Sequence, residues 1–300
     1  MKVRPVKAGW YNAFRPWTLH GAVIPVLLGG LLAYHDGYSC WWVLLLAVAG
    51  GCLLQSAANL LNTYGDYVNG LDNEENHTRS PELVSGALRP KSVLYMGAVC
   101  LAVTALIGVV LIWYSGWGIL WFGLAGIIGA GSYTLGLSYK YYGLGLVSVF
   151  FMMGILMPLG TYYVLSGVVA WHVVLISLPN AFLITAVLSG NEMRDFDSDL
   201  EAGVKTTSGR LGYRGGMLLY RSLCTLPYAI LVLLTVSGYL PYLSFLAFLT
   251  LYQYWKLIEN SRHARDDREC GFMMVPMAFR LNWMFGGLLM IGYVLAYYVL

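Results

Sequence analysis

Two stretches of this 300-residue chain concentrate side chains able to do chemistry. The first, NLLNTYGDYVNGLD at 59–72, carries Asn59, Asn62, Asp66, Asn69 and Asp72. The second, NEMRDFDSDLEAGVKTTSGRLG at 191–212, carries Asn191, Glu192, Asp195 and Asp199. In each an Asn precedes an Asp by one helical turn, Asn62 with Asp66 and Asn191 with Asp195, which suggests a weak internal repeat. A four-residue step rotates about 40° past a full turn, so Asn191, Asp195 and Asp199 are expected on one helical face. Gln55, Asn59, Asn62 and Asp66 make a comparable stripe, which Gly70 is expected to end ahead of Asp72.

Carboxylates gathered in this way repel, and desolvating them is costly, so a positive partner must sit between them. A set of acids and amides without histidine suits hard Mg²⁺ better than zinc or copper. Arg79 follows the first stretch, Lys140 lies in SYKYYG and Lys205 in the tail of the second. Acids in pairs with bases in adjoining loops fit a Mg²⁺–diphosphate site: carboxylates hold the metal, the metal bridges phosphate oxygens, and Lys or Arg neutralises the rest. Arg89 and Lys91 read instead as markers of membrane topology. The five cysteines are scattered without a CxxC pair, so they read as packing residues rather than disulfides or zinc ligands.

The elements that must position these groups are membrane helices. Hydrophobic residues make up 58% of the chain and charged ones 11%, against about a quarter charged in soluble domains. Apolar runs near 18–34, 41–62, 92–114, 117–137, 144–166, 171–190, 216–237, 239–257 and 279–299 predict nine spans. The runs lack the period-two alternation of a membrane barrel, so the fold class is all-α. Little chain remains between the spans, which predicts a single membrane domain over 1–300, and no cleavable signal peptide is evident. With the N-terminus in the cytoplasm, all of the 18 Lys and Arg residues except Arg221 fall in cytoplasmic segments, and Arg221 lies close to the same side. Of the 15 acids only Asp36 falls on the far side, so both acidic stretches are expected at the cytoplasmic face.

These residues resemble the UbiA superfamily of intramembrane prenyltransferases, and most closely its MenA-type branch, the 1,4-dihydroxy-2-naphthoate polyprenyltransferases. The likeness runs through RPWTLHGAVIPVLLGG, NLLNTYGDYVNGLD, ELVSGALRP, YTLGLSYKYYGLGLVSVFFMMG and the second acidic stretch. It implies a nine-helix bundle around a central cavity, with Mg²⁺ and polyprenyl diphosphate at the cytoplasmic end and the lipid tail in an apolar tunnel. By the resemblance, Asn62, Asp66, Asp72, Asp195 and Asp199 are metal ligands. Asn62, Asn191, Arg79, Lys140 and Lys205 hold diphosphate, and Asp66, Asp195, Lys140 and Arg79 carry catalysis. The implied reaction ionises an allylic C–O bond, after which an electron-rich hydroxynaphthoate ring attacks the cation and loses its carboxylate, giving demethylmenaquinone. Tyr64, Tyr133, Tyr139 and Tyr142 could each offer a ring face to that cation. The sequence departs from the family pattern at Thr63, where an Asp often follows the Asn, and at Leu146, where MenA-type members commonly have an acid.

The expected partners are therefore a polyprenyl diphosphate, an aromatic acceptor and the lipid bilayer of a bacterial plasma membrane, with no nucleic acid. Homogentisate, hydroxybenzoate, a tetrapyrrole or a glycerol phosphate lipid are alternative acceptors. A membrane transporter is the alternative from another class. A transporter would more naturally place its ions near the midplane with access to both sides, whereas the ionisable groups here gather at one face.

Overall fold

A computed structural model describes residues 7–72 and 81–299. Regular structure among the described residues is entirely helical. A short α1 (Trp10–Phe14) and a 3₁₀ turn (Pro16–Thr18) lead into α2 (His20–His35) and α3 (Trp41–Val68). There follow α4 (Pro81–Val84), α5 (Pro90–Ser115) and α6 (Ile119–Gly131). Next, α7 (Gly145–Val149) continues through a π-helical stretch (Phe150–Leu156) into α8 (Met157–Ser166). Beyond these lie α9 (Trp171–Arg194), α10 (Phe196–Glu201), α11 (Thr207–Val236), α12 (Leu251–His263) and α13 (Arg268–Val294).

Seven described helical segments are long and apolar enough to cross a bilayer. The expected count of nine spans is thus not confirmed. The run at 117–137 forms only the 13-residue α6, which stops at Gly131. The run at 239–257 is divided between a 3₁₀ stretch, Tyr242–Thr250, that starts behind Pro241, and α12. Hydropathy registers an apolar run, but the backbone geometry inside that run depends on its packing.

Helix length sets the depth of the site. At 28 residues, α3 extends about 42 Å, whereas the hydrocarbon layer is ~30 Å thick. Its last two turns, which carry Asn62 and Asp66, therefore project towards the interface. Helix α9 packs along α11, α13 and the π-helical stretch, while α3 packs on α5 and α2 on α8. Without a hydrophobic driving force between helices in lipid, close backbone approach depends on small residues. At Gly154 an added Cβ would stand 2.3 Å from the Cβ of Ala181 on α9. Gly154→Val is expected to lower stability by about 1–3 kcal/mol through overpacking, read as a reduced thermal midpoint in detergent; an unchanged midpoint would contradict this contact.

Candidate active site

The first acidic stretch is shaped by the way α3 ends. Gly70 takes φ 76°, a left-handed conformation that only glycine adopts freely. Its N–H donates to Tyr67 O at 3.1 Å and that of Leu71 to Asp66 O at 2.9 Å, the paired bonds of a Schellman cap. The chain turns back so that Asp72 N–H also donates to Asp66 O at 3.2 Å. Asp66 and Asp72, expected from either side of a helix break, are thereby brought to one cavity wall.

Asp66 is the centre of a network. Lys140 Nζ lies 2.7 and 2.8 Å from its two carboxylate oxygens and 3.2 Å from Asn62 Oδ1. Asn62 Nδ2 donates to Asp66 Oδ2 at 3.0 Å, and Tyr141 OH donates to Oδ1 at 2.9 Å. Burial, then the Asp66 charge, push the Tyr141 phenol well above the ordinary tyrosine range, so it remains a donor. Tyr141 in turn accepts from Asn69 Nδ2 at 3.2 Å.

The second stretch is not one straight helix. Asp195 sits at φ −97°, ψ 8°, between the end of α9 and the start of α10. Asp195 N–H still donates to Asn191 O at 3.0 Å and Asp199 N–H to Asp195 O at 2.8 Å, so the bend keeps Asn191, Asp195 and Asp199 on the cavity side. Arg194 grips Asp195 through two bonds, Nε to Oδ1 at 2.6 Å and Nη2 to Oδ2 at 2.9 Å. The same guanidinium interacts electrostatically with Asp199 and, from the first stretch, Asp72. Asp197, on the far side of α10, pairs outside with Arg265 at 3.0 Å.

The connection between α6 and α7 delivers Lys140. Thr134, buried, donates from Oγ1 to Leu61 O at 3.0 Å, and a Cβ on Gly65 would come within 2.6 Å of Thr134 Oγ1, so the loop sits tight against α3. From the other side Lys205 N–H donates to Tyr141 O at 3.3 Å and Thr207 Oγ1 to Gly143 O at 3.0 Å. Glu192 anchors the start of α11 by accepting from Ser208 N–H at 2.9 Å and Ser208 Oγ at 2.8 Å.

Asn62, Asp66, Asp72, Lys140, Asn191, Asp195 and Asp199 all line one cavity of about 1020 Å³. Lys205 is exposed and does not line it; its backbone supports the Lys140 loop while its side chain stays outside. Arg79 lies outside the described residues. Thr63 is 1% exposed and off the cavity wall, where its hydroxyl accepts from Arg15 Nη2 at 3.4 Å. Leu146, likewise, is buried away from the cavity. Of the four tyrosines singled out from the sequence, Tyr133 and Tyr139 line the cavity, and Tyr64 and Tyr142 do not. Sequence reasoning treated Arg15 and Arg194 as topology markers and passed over Tyr141. Their adjacency to Asp195 and Lys140 was the available signal for the last two. Below the polar end the cavity is apolar, with Leu54, Ile107, Phe122, Met152 and Met157 on its walls.

A bundle of membrane helices enclosing a chamber that is charged at one end and apolar along its length defines an intramembrane enzyme for an amphiphilic substrate. Residues 22–275 match the UbiA prenyltransferase family, and the chain belongs to that family of prenyltransferases. It is 33% identical to UbiA prenyltransferase domain-containing protein 1 of Danio rerio, over 79% of this chain and 72% of the relative. It is 32% identical to 1,4-dihydroxy-2-naphthoate octaprenyltransferase of Haemophilus influenzae, over 77% of this chain and 80% of the relative. Among solved structures, a UbiA homolog from Archaeoglobus fulgidus bound to GPP and Mg²⁺ superposes with a TM-score of 0.64 at 12% identity, covering 94% of this chain and 99% of that one.

Proposed function

We propose that the protein transfers a polyprenyl group from polyprenyl diphosphate to 1,4-dihydroxy-2-naphthoate, a Mg²⁺-dependent step of menaquinone biosynthesis. The observation that carries this reading is the meeting of both acidic stretches and Lys140 at the charged end of one apolar cavity. The acceptor rests on likeness to the Haemophilus influenzae protein named for that substrate. The charge asymmetry of the loops favours an N-terminus and site loops in the cytoplasm; we read the chain as a single domain over 1–300 in a bacterial plasma membrane.

The donor set fits the metal. No three His, Cys, Asp or Glu side chains among the described residues converge closely enough to hold an ion alone. Mg²⁺, however, is commonly held by one or two carboxylates with substrate phosphates and waters completing its shell. Asp66, Asp72, Asp195 and Asp199 with Asn62 offer only oxygen ligands from the protein, and phosphates would supply the remainder. When bound there, Mg²⁺ neutralises charge on the departing diphosphate.

The chain's own groups do the rest. Lys140, held on Asp66, is placed to turn to phosphate oxygens as negative charge develops there, with Arg79 and Asn191 as further diphosphate contacts. Arg194 holds Asp195 in a fixed orientation. The allylic C–O bond breaks with its electron pair going to diphosphate. A ring carbon of the acceptor then donates a pair to the allylic carbon, and the ring regains aromaticity as its C–carboxylate bond breaks, the electron pair staying on the ring and the carboxylate leaving as CO₂. The apolar walls exclude water that would otherwise capture the cation.

Purified protein incubated with a polyprenyl diphosphate, Mg²⁺ and dihydroxynaphthoate is expected to release diphosphate and form prenylated naphthoquinol. EDTA is expected to abolish the reaction and added Mg²⁺ to restore it. Product formed only with homogentisate or 4-hydroxybenzoate would overturn the acceptor, and turnover unaffected by EDTA would overturn the metal.

A further inference from the structure

Helix α13 presents one stripe to the cavity: Phe272, Val275, Pro276, Phe279, Arg280 and Trp283. Their spacing of three and four residues is that of a single helical face. The opposite face, with Ala278, Leu281, Asn282 and Phe285, is buried, and Asn282 bonds to Asn180 on α9 at 2.9 Å. Arg280 is therefore turned to the cavity by the packing of its own helix. It lies about twelve residues, or about 18 Å, along the helix from Arg268, within the segment Arg268–Tyr298 that is long and apolar enough to cross the bilayer.

Arg280 is exposed on that face, and a guanidinium within so apolar a segment requires an anionic or hydrated partner. Among the described residues no carboxylate pairs with Arg280, whereas Lys140 and Arg194 are each engaged by an aspartate. Its neighbours on the stripe are aromatic: Phe279, which meets His20 edge-on at 4.8 Å between ring centroids, and Trp283. An anion on a planar aromatic body matches both features, while a diphosphate matches only the charge.

We propose that Arg280 holds the carboxylate of the aromatic acceptor, with Phe279 and Trp283 beside its ring, so that α13 forms an acceptor subsite on a wall separate from the acidic stretches. This rests on the reading of the acceptor as a hydroxynaphthoate. Guanidinium pairs carboxylate through two parallel bonds, which fixes orientation as well as affinity. Arg280 is a specificity-determining residue in this account, and the carboxyl group is what it selects.

The test is direct binding, by titration calorimetry in detergent, of 1-hydroxy-2-naphthoate, 1-naphthol as its carboxylate-free counterpart, and geranyl diphosphate. The wild-type protein is expected to prefer the carboxylated probe. Arg280→Gln is expected to weaken 1-hydroxy-2-naphthoate by at least about tenfold, leave 1-naphthol and geranyl diphosphate unchanged, and so erase the preference; Arg280→Lys should restore part of it. Equal losses for both naphthyl probes, no loss, or no wild-type preference would overturn the proposal. A loss confined to geranyl diphosphate would also overturn it, assigning Arg280 to the donor. Binding is read apart from turnover: a wild-type preference that depends on Arg280, without any prenylated product, upholds the subsite and defeats the proposed reaction.

Discussion

Asp66→Asn and Asp195→Asn are each expected to lower kcat/KM by at least about a thousandfold, a loss of about 4 kcal/mol in transition-state stabilisation. Each replacement keeps the side-chain shape and removes one unit of negative charge. At Asp66 the change reaches three partners at once, since Lys140, Asn62 and Tyr141 all converge on its two oxygens. Lys140 then loses its countercharge, and the proposed metal loses a ligand. At Asp195 the bidentate clasp with Arg194 is replaced by a single neutral acceptor. Neither side chain belongs to the apolar packing of the bundle, so the variants should fold. Steady-state kinetics at increasing Mg²⁺, alongside thermal unfolding in detergent, separates the effects. Lost turnover at an unchanged midpoint is the expected pattern; activity within tenfold of wild type in either variant would sink the account.

Lys140→Met should be the next most damaging change, lowering kcat/KM by about a hundredfold or more, a typical loss when one preorganised charge is withdrawn from a developing anion. The loss should appear partly as a raised KM for the prenyl diphosphate, because the lysine would contact phosphate in the ground state as well. Lys140→Arg should recover only part of the activity. A planar fork does not reproduce a compact ammonium that serves Asp66 and Asn62 together at 2.7 and 3.2 Å. A defect confined to the KM of the aromatic acceptor would remove Lys140 from the diphosphate end. Lys205, by contrast, should be tolerant to side-chain truncation, since its backbone N–H makes the contact to Tyr141 O.

Much of this was legible in the chain. Composition and long apolar runs determined a bundle of membrane helices, because crossing a bilayer demands uninterrupted helical hydrogen bonding. The two acidic stretches stood out for the same reason: carboxylates near lipid are costly enough that a cluster of them implies a ligand. Gly70 announced the end of α3, and a left-handed glycine is found there.

The tertiary structure decided how those pieces meet. Spacing placed Asn191, Asp195 and Asp199 on one face, but only the folded chain shows α9 ending at Arg194 and bending at Asp195. Lys140 and Lys205 read alike in sequence. The loop pinned by Thr134 on one side and Lys205 N–H on the other delivers Lys140 to Asp66 and leaves the Lys205 side chain exposed. Thr63, conspicuous beside Asn62, proved buried against Arg15, and Arg280, read only as one of the cytoplasmic bases, proved to face the cavity. Hydropathy, spacing and caps are properties of neighbouring residues and can be read along the chain. Which base reaches which acid depends on the rotation of each helix about its axis and the path of its loops, and those are set by packing between residues far apart in sequence.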